Sequence, residues 1–182
     1  MPDRRNQHPA IRRGVALVAA LGGLLAIGAS FAPWISTDTE DGGSTSISGW
    51  GGITGSSQIA GTNLNDVLDG AGTYRPGLIG LIFGVIAVIC GIAIAAVNRG
   101  LRPHRITASV LSVCGLVCAG WGLFRGSSPG DAGVFEAGEA SPGVGPWLTA
   151  LAGIIMIVAA TAVFAGIIDP PVPIDRRGIQ PR

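Results

Sequence analysis

The stretch "IGASFAPWISTDTE", Ile27–Glu40, decides the fold. An uncharged, apolar run reaches a Pro-Trp pair and then turns abruptly into serine, threonine and acid. Two readings compete: a signal peptide ahead of its cleavage site, or a membrane helix reaching the surface. Arg4, Arg5, Arg12 and Arg13 precede the run and suit either reading. A signal's apolar region has about 7–15 residues, whereas Gly14–Thr37 carries no charge at all. The best small-x-small site, Ser30-Phe31-Ala32, would place Pro33 directly after the cut, and Ile27-Gly28-Ala29 fits less well. The run is therefore expected to remain as a helix over 14–35, with Trp34 anchoring it at the membrane surface.

The rest of the chain repeats this pattern. Uncharged intervals recur at Pro76–Asn98, Ile106–Phe124 and Ala140–Ile168, each close to or above the ~20 residues that cross ~30 Å of hydrocarbon. Mean hydropathy is +0.52, and charged residues make up 13% of the 182, about half the usual soluble share. Pro76 and Pro146 sit where a first helical residue is expected, since the missing N–H costs nothing there. Pro170 and Pro171 stop the last run. The expected fold class is thus an all-α membrane protein, a four-transmembrane-helix bundle. Its spans are 14–35, 76–98, 106–124 and 146–168. An N-terminus (1–13), a turn (99–105) and a Pro/Arg tail (169–182) lie on one side. Loops 36–75 and 125–145 lie on the other.

Charge sets the orientation. The chain has no lysine, and ten of its twelve arginines fall in the two termini and the short turn. Among them are Arg12, Arg13, Arg99, Arg102, Arg105, Arg176 and Arg177, which are expected to fix topology and meet lipid headgroups. The two long loops hold only Arg75 and Arg125. Basic residues are retained in the cytoplasm, so both termini are expected there, in a multi-pass protein of the cytoplasmic (inner) membrane. Trp34, Trp121 and Trp147 fall at the opposite span ends and Tyr74 just before the second span. They are expected to form an aromatic belt at headgroup level.

Lipid tails are as apolar as leucine, so close backbone approach must hold such helices together. Small residues at four-residue spacing supply candidates: Ala19 with Gly23, Gly80 with Gly84, Ala87-Gly91-Ala95, Gly115 with Ala119, and Ala162 with Gly166. In the first long loop, "STSISGWGGIT" alternates around Ile47, Trp50 and Ile53, which fits a short hairpin. "TNLNDVLDG" reads as a short helix with Thr62 or Asn63 as its cap and Gly70 at its end. With so little apolar content, this loop is expected to lie over the mouth of the bundle against the second loop or a partner.

Reaction chemistry is sparse. Cys90, Cys114 and Cys118 lie inside apolar runs, unlike a secreted disulfide framework. Cys114 and Cys118 share a helix face, but no His, Asp or Glu accompanies them, so they read as small packing residues rather than metal ligands. No acid, base or histidine occupies the middle of a span, where pumps and proton-coupled transporters carry them. The loop acids Asp38, Glu40, Asp41, Asp66 and Asp69 read as a solvated surface, without calcium-loop spacing. Neither a phosphate-binding glycine loop with its lysine nor a nucleophile elbow is present. No cofactor is expected, and nucleic acid is not an expected partner.

"FAPWIS" closing the first span, "GPWL" opening the fourth, the long first loop and the arginine-only basic set resemble small four-span actinobacterial membrane proteins. The tryptophan-associated transmembrane proteins are among these. The layout is also similar to the claudin-like four-span proteins, whose first loop bears a Trp-containing motif and two cysteines. "SGWGGI" at Ser48–Ile53 matches the Trp-Gly part, and both loop cysteines are missing. These resemblances imply topology and transfer no site residue. The expected function is non-enzymatic: a structural or accessory subunit of a cell-envelope or respiratory membrane complex. It would associate, through small-residue helix faces and the outer loop, with another membrane protein or a second copy. The alternatives are an oligomeric carrier of lipid or an apolar small molecule, and an envelope sensor whose acidic loop binds cations. The sequence specifies no small-molecule ligand.

Overall fold

The structure is a computed structural model, and it describes residues 7–38, 43–68, 72–96, 101–129 and 140–168. Four long helices carry it: α1 (Gln7–Ala29), α3 (Gly77–Ala96), α4 (Leu101–Ser127) and α5 (Val144–Phe164). Each contains a segment long and apolar enough to cross a membrane. Between them come β1 (Pro33–Asp38), β2 (Ser44–Ser48), β3 (Ile53–Gly55), the one-turn α2 (Leu64–Val67) and β4 (Ser141–Pro142).

The bundle inverts the usual soluble distribution of side chains. Ala19, Ala26, Ala87, Ala108, Ala152 and Ala160 are completely buried, while Leu17, Ile92, Ile106 and Leu116 are each more than 60% exposed. Small residues inside and large apolar residues outside are what lipid as a solvent selects. Along α1–α3, a Cβ built on Gly23 would stand 2.6 Å from the Gly84 carbonyl oxygen, and one on Gly84 would stand 2.7 Å from that of Gly23. Gly80 faces the Ala26 carbonyl and Gly91 faces Ala16 and Ala20 in the same seam. Gly115 meets Gly153 and Ile157 across the α4–α5 seam. The contact between α3 and α4 is less extensive than either of these.

The chain is not all-α. A four-stranded antiparallel sheet, in the order β3-β2-β1-β4, sits at one end of the bundle. This sheet forms a cap on the bundle. Ile35, Ile47, Ile53, Leu64 and Tyr74 form its core. β2 and β3 pair as a hairpin within "STSISGWGGIT". Asn63 caps α2, its side chain accepting from Asn65 N, and Gly70 lies outside the described residues. β4 comes from the second long loop, where Ser141 Oγ donates to Ser36 O at 2.8 Å.

Helix limits shift accordingly. The first helix ends at Ala29, not 35, because Pro33 and Trp34 enter β1. The third runs from Leu101 to Ser127, well beyond 106–124 at both ends, and so takes in most of the expected turn 99–105. The fourth ends at Phe164. There Gly166 adopts φ 71°, its N–H donates to Val163 O, and Ile167 N donates to Ala162 O. That pattern is a Schellman termination requiring a left-handed residue. Gly166 therefore terminates the helix.

Candidate functional site

The feature that gathers most chemistry is a cleft where the cap meets α3 and α4. One wall carries Tyr74, which is held from behind by Asn65. The Asn65 side-chain amide accepts from Tyr74 N at 2.6 Å and lies 3.2 Å from Tyr74 O as donor. It also reaches Trp50 O and Asn63 Oδ1. A side-chain amide thus pairs with a backbone as a strand would, and it fixes Tyr74 although no strand runs there.

On the opposite wall, Trp121 and Arg125 are four residues apart on α4, and therefore on one face. Trp121 Nε1 donates to Pro76 O at 3.0 Å, tying α4 to the start of α3. The Arg125 guanidinium carbon lies 5.8 Å from the ring centres of both Tyr74 and Trp121, within cation–π range. Arg125 is only 7% exposed, in the last turn of α4, where the helix dipole favours a cation. The described acids, Asp38 and Asp66, are both exposed, and among the described residues none pairs with it.

Burial raises the Tyr74 phenol above its ordinary value, against the lowering effect of the Arg125 charge and its contact with the phenol. That contact is electrostatic, because the phenol oxygen is enclosed without a well-formed hydrogen bond. Between these groups lies a space of about 570 Å³ bounded by Thr73, Arg75, Pro76, Leu78 and Ile79. No protein-family model matches the chain, and no curated protein matches it. The cleft must therefore be read from its own geometry. It offers two guanidinium groups, a phenol and an apolar floor, and among the described residues no set of His, Cys, Asp or Glu could hold a metal.

The aromatic side chains expected to form a headgroup belt separate into two groups. Trp147 is 48% exposed on the first turn of α5, open to the surroundings. Trp34 is not an interfacial anchor of that kind: it is 1% exposed, and its Nε1 donates to Ala29 O at 2.9 Å. A bulge between Pro33 and Ile35 breaks the β1–β2 register. Bulges redirect a side chain, which explains why the consecutive Trp34 and Ile35 are both buried. A Cβ on Gly145 would fall 2.5 Å from Trp34 Cδ1, so α5 can seat this ring only with glycine there. Tyr74 is likewise a cap-core residue at 5% exposure. A ring at a span end reads as interfacial in the sequence whether lipid or the chain's own loop covers it.

At the far end of the bundle, Arg13 and Arg105 are exposed and Arg12 is half-buried. Arg102 falls in the first turn of α4, while Arg99, Arg176 and Arg177 lie outside the described residues. A smaller, apolar groove of about 280 Å³ runs between α1 and α3 beside Arg13. Sequence reading missed the Arg75–Arg125 cleft, although the i,i+4 pair Trp121–Arg125 and the isolation of these two arginines were visible signals.

Proposed function

We propose that this chain is a non-enzymatic accessory or structural protein of the cytoplasmic membrane, acting through the cap. The carrying observation is that its small-residue faces close on one another within a single chain, as the Gly23–Gly84 and Gly115–Gly153 approaches do. Helix faces so used are not left for a partner, and association falls to the cap. Its surface presents Ile59 and Val67, 45% and 52% exposed, and Phe31 stacked on Trp50 at 5.9 Å. The arginine asymmetry supports a cap outside the cell and cytoplasmic termini.

Photo-cross-linking from positions 59 and 67 in native membranes, followed by mild-detergent purification, tests this reading. A discrete cross-linked partner is expected, lost when Ile59 and Val67 are both replaced by Asp. Recovery of the uncross-linked monomer alone overturns it. Reporter fusions at both termini and within 56–61 check the orientation, with signals expected on opposite sides of the membrane.

A further inference from the structure

We propose that the Arg75–Arg125 cleft binds the phosphate of an anionic phospholipid from the leaflet on the cap side, with an acyl chain lying against Leu78 and Ile79. This goes beyond the accessory role, because the cleft is separate from the cap surface formed by Ile59 and Val67.

Charge placement is the first support. The chain carries only two arginines in its long loops and no lysine, yet Arg75 and Arg125 line the same cleft. Topology does not call for them, since basic residues on that side oppose the positive-inside bias. The second support is the state of Arg125, which is nine-tenths buried and faces the Tyr74 phenol but no carboxylate among the described residues. A buried charge without a counter-ion is strongly unfavourable. The flanking Tyr74 and Trp121 rings supply only the weaker cation–π term and no negative charge. A phosphate accepts a guanidinium through two parallel hydrogen bonds. The Tyr74 hydroxyl, held beside Arg125, adds a further donor.

Position selects a lipid over a soluble anion. Arg125 lies in the last turn of a helix that contains a span-length apolar segment, the depth at which headgroups lie. Below it the cleft continues onto Ile79 and onto Leu78, which is 40% exposed on the outside of the bundle. The contact between α3 and α4 is also less extensive than in the α1–α3 and α4–α5 seams. A free phosphate would satisfy the cations and leave these apolar walls uncovered.

The test uses the full chain purified in detergent, with lipid retention read by native mass spectrometry and stability by thermal unfolding. Phosphatidylglycerol is expected to be retained and to raise the unfolding temperature, whereas diacylglycerol with the same chains does neither. Arg125→Gln should cut phosphatidylglycerol retention roughly tenfold, while Arg13→Gln at the opposite end leaves it unchanged. If Arg125→Gln does not fold, Tyr74→Phe keeps the ring and should lower retention several-fold. Equal retention of diacylglycerol, or undiminished retention in Arg125→Gln or in Tyr74→Phe, overturns the proposal. So does inorganic phosphate producing the same thermal shift, which makes the cleft a soluble-anion site. A requirement for combined Asp131→Asn, Glu136→Gln and Glu139→Gln before any lipid binds also overturns it, because the chain's own carboxylate then fills the cleft.

Discussion

The bundle and the cap are held together by opposite means. In the bundle the decisive contacts are made where side chains are missing: Gly23 and Gly84 bring two backbones together, and one added carbon on either would collide with the other's carbonyl. In the cap the decisive contacts are made by side chains: the Trp34 ring fills the joint with α1 and α5, and the Asn65 amide holds Tyr74. The difference follows from the two solvents. Lipid gives no reward for burying a large apolar group, so dispersion between closely approaching helices dominates. The cap lies outside the span-length apolar segments and needs an apolar centre with its polar groups satisfied. Adding atoms should therefore damage the bundle, and removing them should damage the cap.

The sharpest way to break this contrast is Trp34→Ala, which empties the joint and leaves Ala29 O with only its longer bond from Ala32 N. Loss of a buried aromatic costs about 3–5 kcal/mol. Denaturant unfolding in detergent should show it, together with protease cleavage within 33–68 while the four helices persist. In the bundle, Gly84→Ala should cost about 1–3 kcal/mol by overpacking. Gly28→Ala, on a helix face with no atom within 4 Å of the new carbon, should change stability by less than about 0.5 kcal/mol. Equal effects of these two substitutions would erase the distinction. Asn65→Ala should cost about 1–3 kcal/mol, since the enclosed Tyr74 N–H loses its acceptor; thermal unfolding of the variant measures it.

The smallest effect is a pH dependence. Tyr74 is the chain's one tyrosine, so tyrosinate absorbance reports it alone. Its folded pKa is raised from 10.0 by burial, so the unfolded chain ionises first. The stabilisation is fully present below pH 10 and is lost as pH rises through the higher folded value. Tyr74→Phe should flatten that decline, and absorbance rising at the ordinary tyrosine pKa in the folded protein would contradict the burial.

The long helices were legible because hydropathy summed over about 20 residues is a strong signal. The sheet was only partly so. β2 and β3 announce themselves by local alternation, but β1 begins inside an interval that also reads as helix, and β4 is two residues long and pairs with it from 105 positions away. No local pattern encodes that pairing. Trp34 misled for a related reason: residue type reports that a ring leaves water, not which phase receives it. Arg75 and Arg125 stood out as the two exceptions to a charge rule, yet their meeting depends on the end of α4 lying beside the start of α3. Gly166 shows the same limit at a smaller scale, since four-residue spacing from Ala162 matches a packing motif while the backbone uses it as a stop.

The pairing of β1 with β4 also sets an order of assembly. A ribosome releases Trp34 long before it makes Ser141, Gly143 and Gly145, and those late residues complete the strand and seat the ring. The hairpin β2–β3 can form early, but the cap cannot be finished until the fourth helix has entered beside the first. A closed cap is therefore a mark of completed biogenesis. A membrane protease probing the segment around Trp34 would distinguish finished molecules from chains whose last helix never arrived.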